Sequence, residues 1–213
     1  MDAELAAAQL PIPPVSGVWQ PYFENASPSW WSFLMLAIRA HAAAEFAQAR
    51  RCYQESLALK PSMLALRGLG MISAAEGDRG AAADLHFAAV ALDPRCRLLL
   101  VEAVDALLLA DRSAIALELI EGAPARVAEH GRVVLQRVRA LLAAGDNAAA
   151  ARLLRDGIDV PDLREGESFE DVWRLACPGV DLPARYDFRM HPVGTGAIGQ
   201  LPTSPTDPGA ESC

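Results

Sequence analysis

The sequence predicts an all-α fold, an α-solenoid of about four helix pairs closed by a short C-terminal helix. Alanine, the best helix former, occurs in blocks at residues 42–44, 81–83 and 148–151. Single alanines also recur at intervals of 33, 34 and 34 residues, at Ala49, Ala82, Ala116 and Ala150. A repeat of this length is one helix–turn–helix unit, which buries its apolar flank only by stacking on its neighbours.

The composition divides the chain into four parts. Residues 1–28 contain five prolines and predict an irregular N-terminal segment. Residues 29–158 hold the predicted helical repeats, and residues 159–192 are predicted to form a C-terminal cap. Residues 193–213 are rich in Gly, Pro, Ser and Thr, which predicts a disordered tail.

The first two units carry the pattern most completely. Small residues are predicted where the paired helices cross, at Ala37, Ala49, Gly70 and Ala82. Pro61 and Pro94 follow the second helices and end them, because proline has no N–H to donate. In the third unit the spacing leaves two helix registers open, one residue apart. These features resemble the tetratricopeptide repeat (TPR) over about residues 29 to 158.

Four stretches carry a narrower resemblance, at residues 65–70, 130–133, 162–167 and 187–190. They are similar to the C-terminal region of large bacterial proteins that carry TPRs behind a domain of unknown function. That domain resembles carbohydrate-binding β-sandwiches. No such sandwich is present in this sequence, so the resemblance implies a detached or separately encoded helical tail without residues for a sugar-directed activity.

Charge and hydropathy exclude several classes of protein. There are 27 acidic and 19 basic side chains, and a net charge of −8 argues against nucleic acid as a partner. The most apolar stretch, residues 98–110, contains Glu102 and Asp105, so no membrane span and no membrane partner are expected. The acidic start lacks the basic segment of a secretory leader. The widely spaced cysteines predict a reducing, cytoplasmic location.

No catalytic, cofactor or metal site is predicted. The four histidines have no metal-ligand spacing, and no nucleophile or phosphate-loop motif is present. His86 occupies the aromatic packing position of its repeat, which predicts a core histidine. The acidic cluster within residues 162–171 is interpreted as a solvated helix start, with a carboxylate site as the alternative.

The predicted binding surface is the concave one, which the first helix of each unit lines. Its predicted residues are Trp31, Leu34, His41, Arg67, Met71, Arg97, Arg132, Leu135 and Arg139. Several arginines on one side of an acidic protein could clamp the carboxylates of a peptide. The alternative is that they pair with neighbours such as Glu102 or Glu129 and keep the groove solvated.

Three functions remain open at this point. The first is a non-catalytic scaffold that binds an acidic peptide or a partner domain in the groove. The second is an accessory module of a carbohydrate-active enzyme whose sandwich is supplied separately. The third is a fragment without a present role. The aromatic residues near the start, Trp19 to Phe33, predict either a cap on the first helix or a docking patch for a partner.

Overall fold

The computed structural model describes residues 28–160 and 169–186. Every regular element in these residues is helical. In chain order the helices are α1 (Trp30–Ala42), α2 (Phe46–Leu59), α3 (Met63–Ala75), α4 (Arg79–Leu92), α5 (Arg97–Leu109), α6 (Ser113–Glu121), α7 (Ala125–Ala128), α8 (Gly131–Ala143), α9 (Asn147–Asp156) and α10 (Glu170–Ala176), followed by a 3₁₀ turn at Ala184–Tyr186. The predicted irregular segment before Pro28 and the predicted tail 193–213 lie outside the described residues. None of the described helices combines the length and the apolar composition that crossing a bilayer requires.

Eight of these helices form four consecutive pairs, α1–α2, α3–α4, α5–α6 and α8–α9. The first helices begin at Trp30, Met63, Arg97 and Gly131, at intervals of 33, 34 and 34 residues. The second helices begin at Phe46, Arg79, Ser113 and Asn147, at the same intervals. Each pair packs on the next one, so the predicted all-α, solenoid-like stack is confirmed. The start of α5 at Arg97 also fixes the register of the third pair.

Small residues allow the helices of the first two pairs to approach closely. Ala37 and Ala49 are fully buried, as predicted. A Cβ atom on Gly70 would lie 2.8 Å from the ring of His86, and one on Gly68 would lie 2.3 Å from Cζ of Tyr53. Because these distances are shorter than any van der Waals contact, only glycine fits against the two rings. His86 is buried, which confirms its predicted place in the core.

The third pair departs from the others in its second helix. Helices α2 and α4 each have 14 residues, whereas α6 has only nine and ends at Glu121. Gly122, Ala123 and Pro124 follow, and the chain then forms the single turn α7. Pro124 cannot donate a backbone hydrogen bond and disfavours a helical residue before it, so a full-length second helix is not possible here.

Helix α10 covers the fourth pair with its aromatic side chains. Phe169 stacks on Tyr186 with ring centroids 4.5 Å apart, and Trp173 packs beside them. The Tyr186 hydroxyl donates to the carbonyl of Leu154 at 2.7 Å and accepts from the N–H of Ile158 at 2.8 Å. Trp173 is buried, as predicted for a residue that covers the last repeat.

The same prediction was wrong for Leu175, whose side chain is 64% exposed. Leu175 lies two residues after Trp173, and residues two apart in a helix do not face the same side. On the first turn of α10, Arg174 pairs with Glu170 at 2.7 Å and with Asp171 at 3.7 Å. This part of the acidic cluster therefore acts as a solvated helix start. Residues 161–168 lie outside the described residues.

Candidate functional site

The second, fifth, ninth and twelfth residues of each first helix fall on one side of that helix, because helical neighbours are three or four residues apart. We call this surface the first-helix face. It comprises Trp31, Leu34, Ile38 and His41 on α1, Leu64, Arg67, Met71 and Ala74 on α3, Leu98, Val101, Asp105 and Leu108 on α5, and Arg132, Leu135, Arg139 and Leu142 on α8. It therefore contains all the predicted groove residues except Arg97, which precedes the first of its positions on α5.

Exposure varies along the first-helix face. Met71 is 40% exposed and Leu98 is 50% exposed, so both offer apolar surface to a partner. Leu34 and Leu135 are buried, so these two predicted groove residues serve the core instead. Trp31 is half-buried, with its ring edge-on to Trp30 at a centroid distance of 5.5 Å. The accessible part of the face thus extends from the second pair towards the fourth.

Arg67 makes the best-defined ion pair of this region. Its Nε and Nη2 atoms each donate to a carboxylate oxygen of Glu102 at 2.6 Å, which joins α3 to α5. Hydrogen bonding to Glu102 is the largest cause that raises the pKa of the Arg67 guanidinium. This two-point pairing is the arrangement that arginine and carboxylate geometry favours. Arg67 is therefore engaged within the stack, as the alternative interpretation expected, and is not available to clamp a peptide.

His41 is held at the end of α1 by aromatic neighbours. Its Nδ1 lies 3.4 Å from the Tyr53 hydroxyl, and its ring meets Phe46 edge-on at 5.7 Å. Burial, with a smaller contribution from the charge of Arg67, lowers the pKa of His41. Burial also raises the pKa of Tyr53 to about 12. Both side chains are therefore neutral at pH 7 and pack as structural groups.

The fourth pair places positive charge on the first-helix face. Arg132 and Arg139 lie seven residues apart on α8 and are half-buried. Between them, Gln136 donates to Asp105 of α5 at 2.7 Å, and its side-chain oxygen has no hydrogen-bond partner in the described structure. The polar contact Asp105–Gln136 thus links the third and fourth pairs as Arg67–Glu102 links the second and third.

The remaining predicted groove residue, Arg97, lines a cavity at the break between α6 and α8. This break cavity has a volume of about 590 Å³ and is lined by Arg95, Arg97, Leu98, Pro124, Ala125, Arg126, Val127 and His130. Leu98 belongs to the first-helix face as well, so the cavity opens beside it. The sequence prediction missed Arg95 and Arg126, although the Gly122-Ala123-Pro124 signal for an early helix end was readable.

A second, apolar cleft lies on the other side of the break. It has a volume of about 300 Å³ between the second helices α4 and α6, with Phe87, Val90 and Ile115 among its lining residues. Phe87 is 42% exposed there. In the described residues no three His, Cys, Asp or Glu side chains lie close enough together to hold a metal ion.

Comparison with models of known protein families gave no match, and comparison with curated protein sequences gave none either.

Proposed function

We propose that this chain is a non-catalytic scaffold of the TPR type that binds an extended, acidic segment of a partner protein along its first-helix face. The 33- and 34-residue intervals, which hold for both helices of all four pairs, support the TPR assignment. Extended surfaces formed by stacked repeats are the surfaces on which such proteins bind their partners.

The observation that carries the proposal is the composition of the accessible first-helix face. Met71 and Leu98 expose apolar surface, and Arg132 and Arg139 add positive charge, in a chain whose net charge is −8. A positive region on an acidic protein attracts an acidic partner and repels copies of the protein itself. Arg67 and Glu102 neutralise each other, so they position the face and contribute little net charge.

We also propose a cytoplasmic location. The thiols of Cys52, Cys96 and Cys177 are free, which suits a reducing compartment.

The proposal is tested by capture of partners on the immobilised full-length chain, followed by mass spectrometry. The test variant is Met71→Glu with Arg139→Glu, which removes apolar surface and reverses a charge on the first-helix face. The control is Arg152→Glu, because Arg152 is an exposed arginine on the second helix of the fourth pair. We expect the test variant to lose a specific partner that the control retains, with unchanged helical circular dichroism in both. Equal retention by the two variants would refute the assignment of the face.

A further inference from the structure

The break cavity exists because the third pair departs from the repeat. The other connections between pairs are short, at residues 60–62 and 93–96, whereas residues 122–130 separate α6 from α8. The longer connection folds its turn α7 opposite the start of α5. Leu98, Pro124 and Val127 form an apolar wall, and the polar side chains in the lining are three arginines and one histidine. A volume of about 590 Å³ is within the usual range for small-ligand sites.

The charge in this cavity is of one sign. Arg95, Arg97 and Arg126 contribute three guanidinium groups, and none of the lining residues is acidic. The nearest carboxylate partner is Asp93, whose Oδ1 lies 3.7 Å from Nε of Arg95, a side chain that is 78% exposed. Arg126 is exposed and forms no ion pair within residues 28–160 and 169–186. Because exposed pairs of this kind contribute little energy, Asp93 does not neutralise the cavity.

His130 adds a second observation that points to an acceptor. Nη1 of Arg97 approaches Nε2 of the ring, and the backbone N–H of Arg132 points at Nδ1 from 3.2 Å. Both neighbours are donors, but a neutral imidazole can accept at only one of its two nitrogens. Donors therefore outnumber acceptors around this ring, as they do around the guanidinium groups. An anion with several oxygens would supply the acceptors.

We propose that the break cavity binds a phosphate monoester, with the ester group against the apolar wall. A phosphate monoester carries a charge between about −1.5 and −2 at pH 7 and has three strong acceptor oxygens, which suits three guanidinium groups better than a single carboxylate does. The proposal deepens the proposed function and rests on it for one point only. Since Leu98 lies on both surfaces, the phosphate would belong to the segment bound along the first-helix face.

The test measures binding of phenyl phosphate to the full-length chain by isothermal titration calorimetry. Benzoate, which has the same ring and one carboxylate, is the comparison ligand. We expect phenyl phosphate to bind at least about tenfold more tightly than benzoate, and Arg126→Gln to weaken it by about tenfold or more, as expected for a lost charge-assisted hydrogen bond. Arg152→Gln, the matched exposed arginine outside the cavity, should bind as the wild type does.

Three results would overturn the proposal. They are the absence of phenyl phosphate binding, equal affinities for phenyl phosphate and benzoate, and equal losses in Arg126→Gln and Arg152→Gln. Arg126 is suitable for substitution because the described structure gives it no ion pair to lose. Circular dichroism of Arg126→Gln should therefore match that of the wild type.

A second comparison identifies the source of the phosphate. A short phosphoserine peptide that binds more tightly than phenyl phosphate would assign the cavity to a phosphorylated partner, and equal affinities would assign it to a small phosphate ester. The two proposals fail separately. Loss of phenyl phosphate binding in Arg126→Gln can be observed when no partner depends on Met71 and Arg139, and partner capture can depend on these two residues when phenyl phosphate does not bind.

Discussion

The turns inside the second and fourth pairs differ in sequence from those inside the first and third, although the backbone is nearly the same. At the equivalent position of each turn one residue has a positive φ, at Ala44 (59°), Gly77 (85°), Asp111 (58°) and Gly145 (82°). Glycine adopts this left-handed conformation without strain, and other residues pay for the approach of Cβ to the following carbonyl. Two of the four turns therefore hold a strained residue.

The next residue extends the difference. Asp78 and Asp146 cap their helices, each accepting a hydrogen bond at 2.9 Å from the backbone N–H three residues later. Glu45 and Arg112 occupy the same position in the other two turns and make no such bond. Since all four pairs form at the same spacing, the packing between helices determines the turn, and the Gly-Asp sequence only makes it less costly.

The largest effect is expected from removing the favourable turn of the second pair. Gly77→Ala with Asp78→Ala should lower the free energy of unfolding by about 2 kcal/mol, since a left-handed alanine and a lost cap each cost about 1 kcal/mol. No atom lies within 4 Å of a Cβ on Gly77, so the loss would come from backbone strain and not from a clash. Urea denaturation followed by circular dichroism measures the change.

The matched control for that variant is Glu45→Ala in the first pair. Glu45 forms no cap, and its only printed-sequence partner in the described structure is Arg39, at 3.5 Å. Removal of this exposed pair should change the stability by less than about 0.5 kcal/mol. A Gly77→Ala, Asp78→Ala variant that unfolds at the wild-type urea concentration would show that these turns contribute nothing.

The reverse exchange should stabilise the first pair. Ala44→Gly with Glu45→Asp installs the turn of the second pair and should raise the free energy of unfolding by about 1 kcal/mol, after the greater freedom of glycine in the unfolded chain is subtracted. Glu45 has φ −83° and ψ 61°, close to the φ −86° and ψ 68° of Asp146, so the shorter carboxylate would reach the N–H of Gln48. Destabilisation measured in the same urea experiment would contradict this expectation.

The sequence predicted the repeat because its signals are local and recur. Each first helix has its apolar residues at helical spacing, so the positions of Met71 and Arg132 on one face followed from the 34-residue interval alone. The interval also made Glu102 a neighbour of Arg67, since these residues are one repeat and one position apart. Local periodicity was sufficient for every feature that all four pairs share.

The break cavity could not be predicted in the same way. Pro124 indicates that a helix ends, but the direction of the chain after it depends on contacts with α5 and α8, which no local pattern records. Arg95 and Arg126 are 31 residues apart, so the repeat spacing does not place them together. Leu175 shows the same limit, because the side that a short helix turns to the core depends on how it docks.

The smallest effect is expected in the third pair, where the residue with positive φ is Asp111. Asp111→Gly should stabilise the protein by roughly half as much as Ala44→Gly measured as a single change, because aspartate enters the left-handed region more readily than alanine does. Arg112 is left in place, since its guanidinium pairs with Asp84 of α4 at 2.5 Å and helps to hold the third pair on the second. Urea denaturation of the two single variants, side by side, measures the ratio. An equal or larger gain at Asp111 would mean that its side chain relieves none of the strain, and the order of the four turns would then follow glycine content alone.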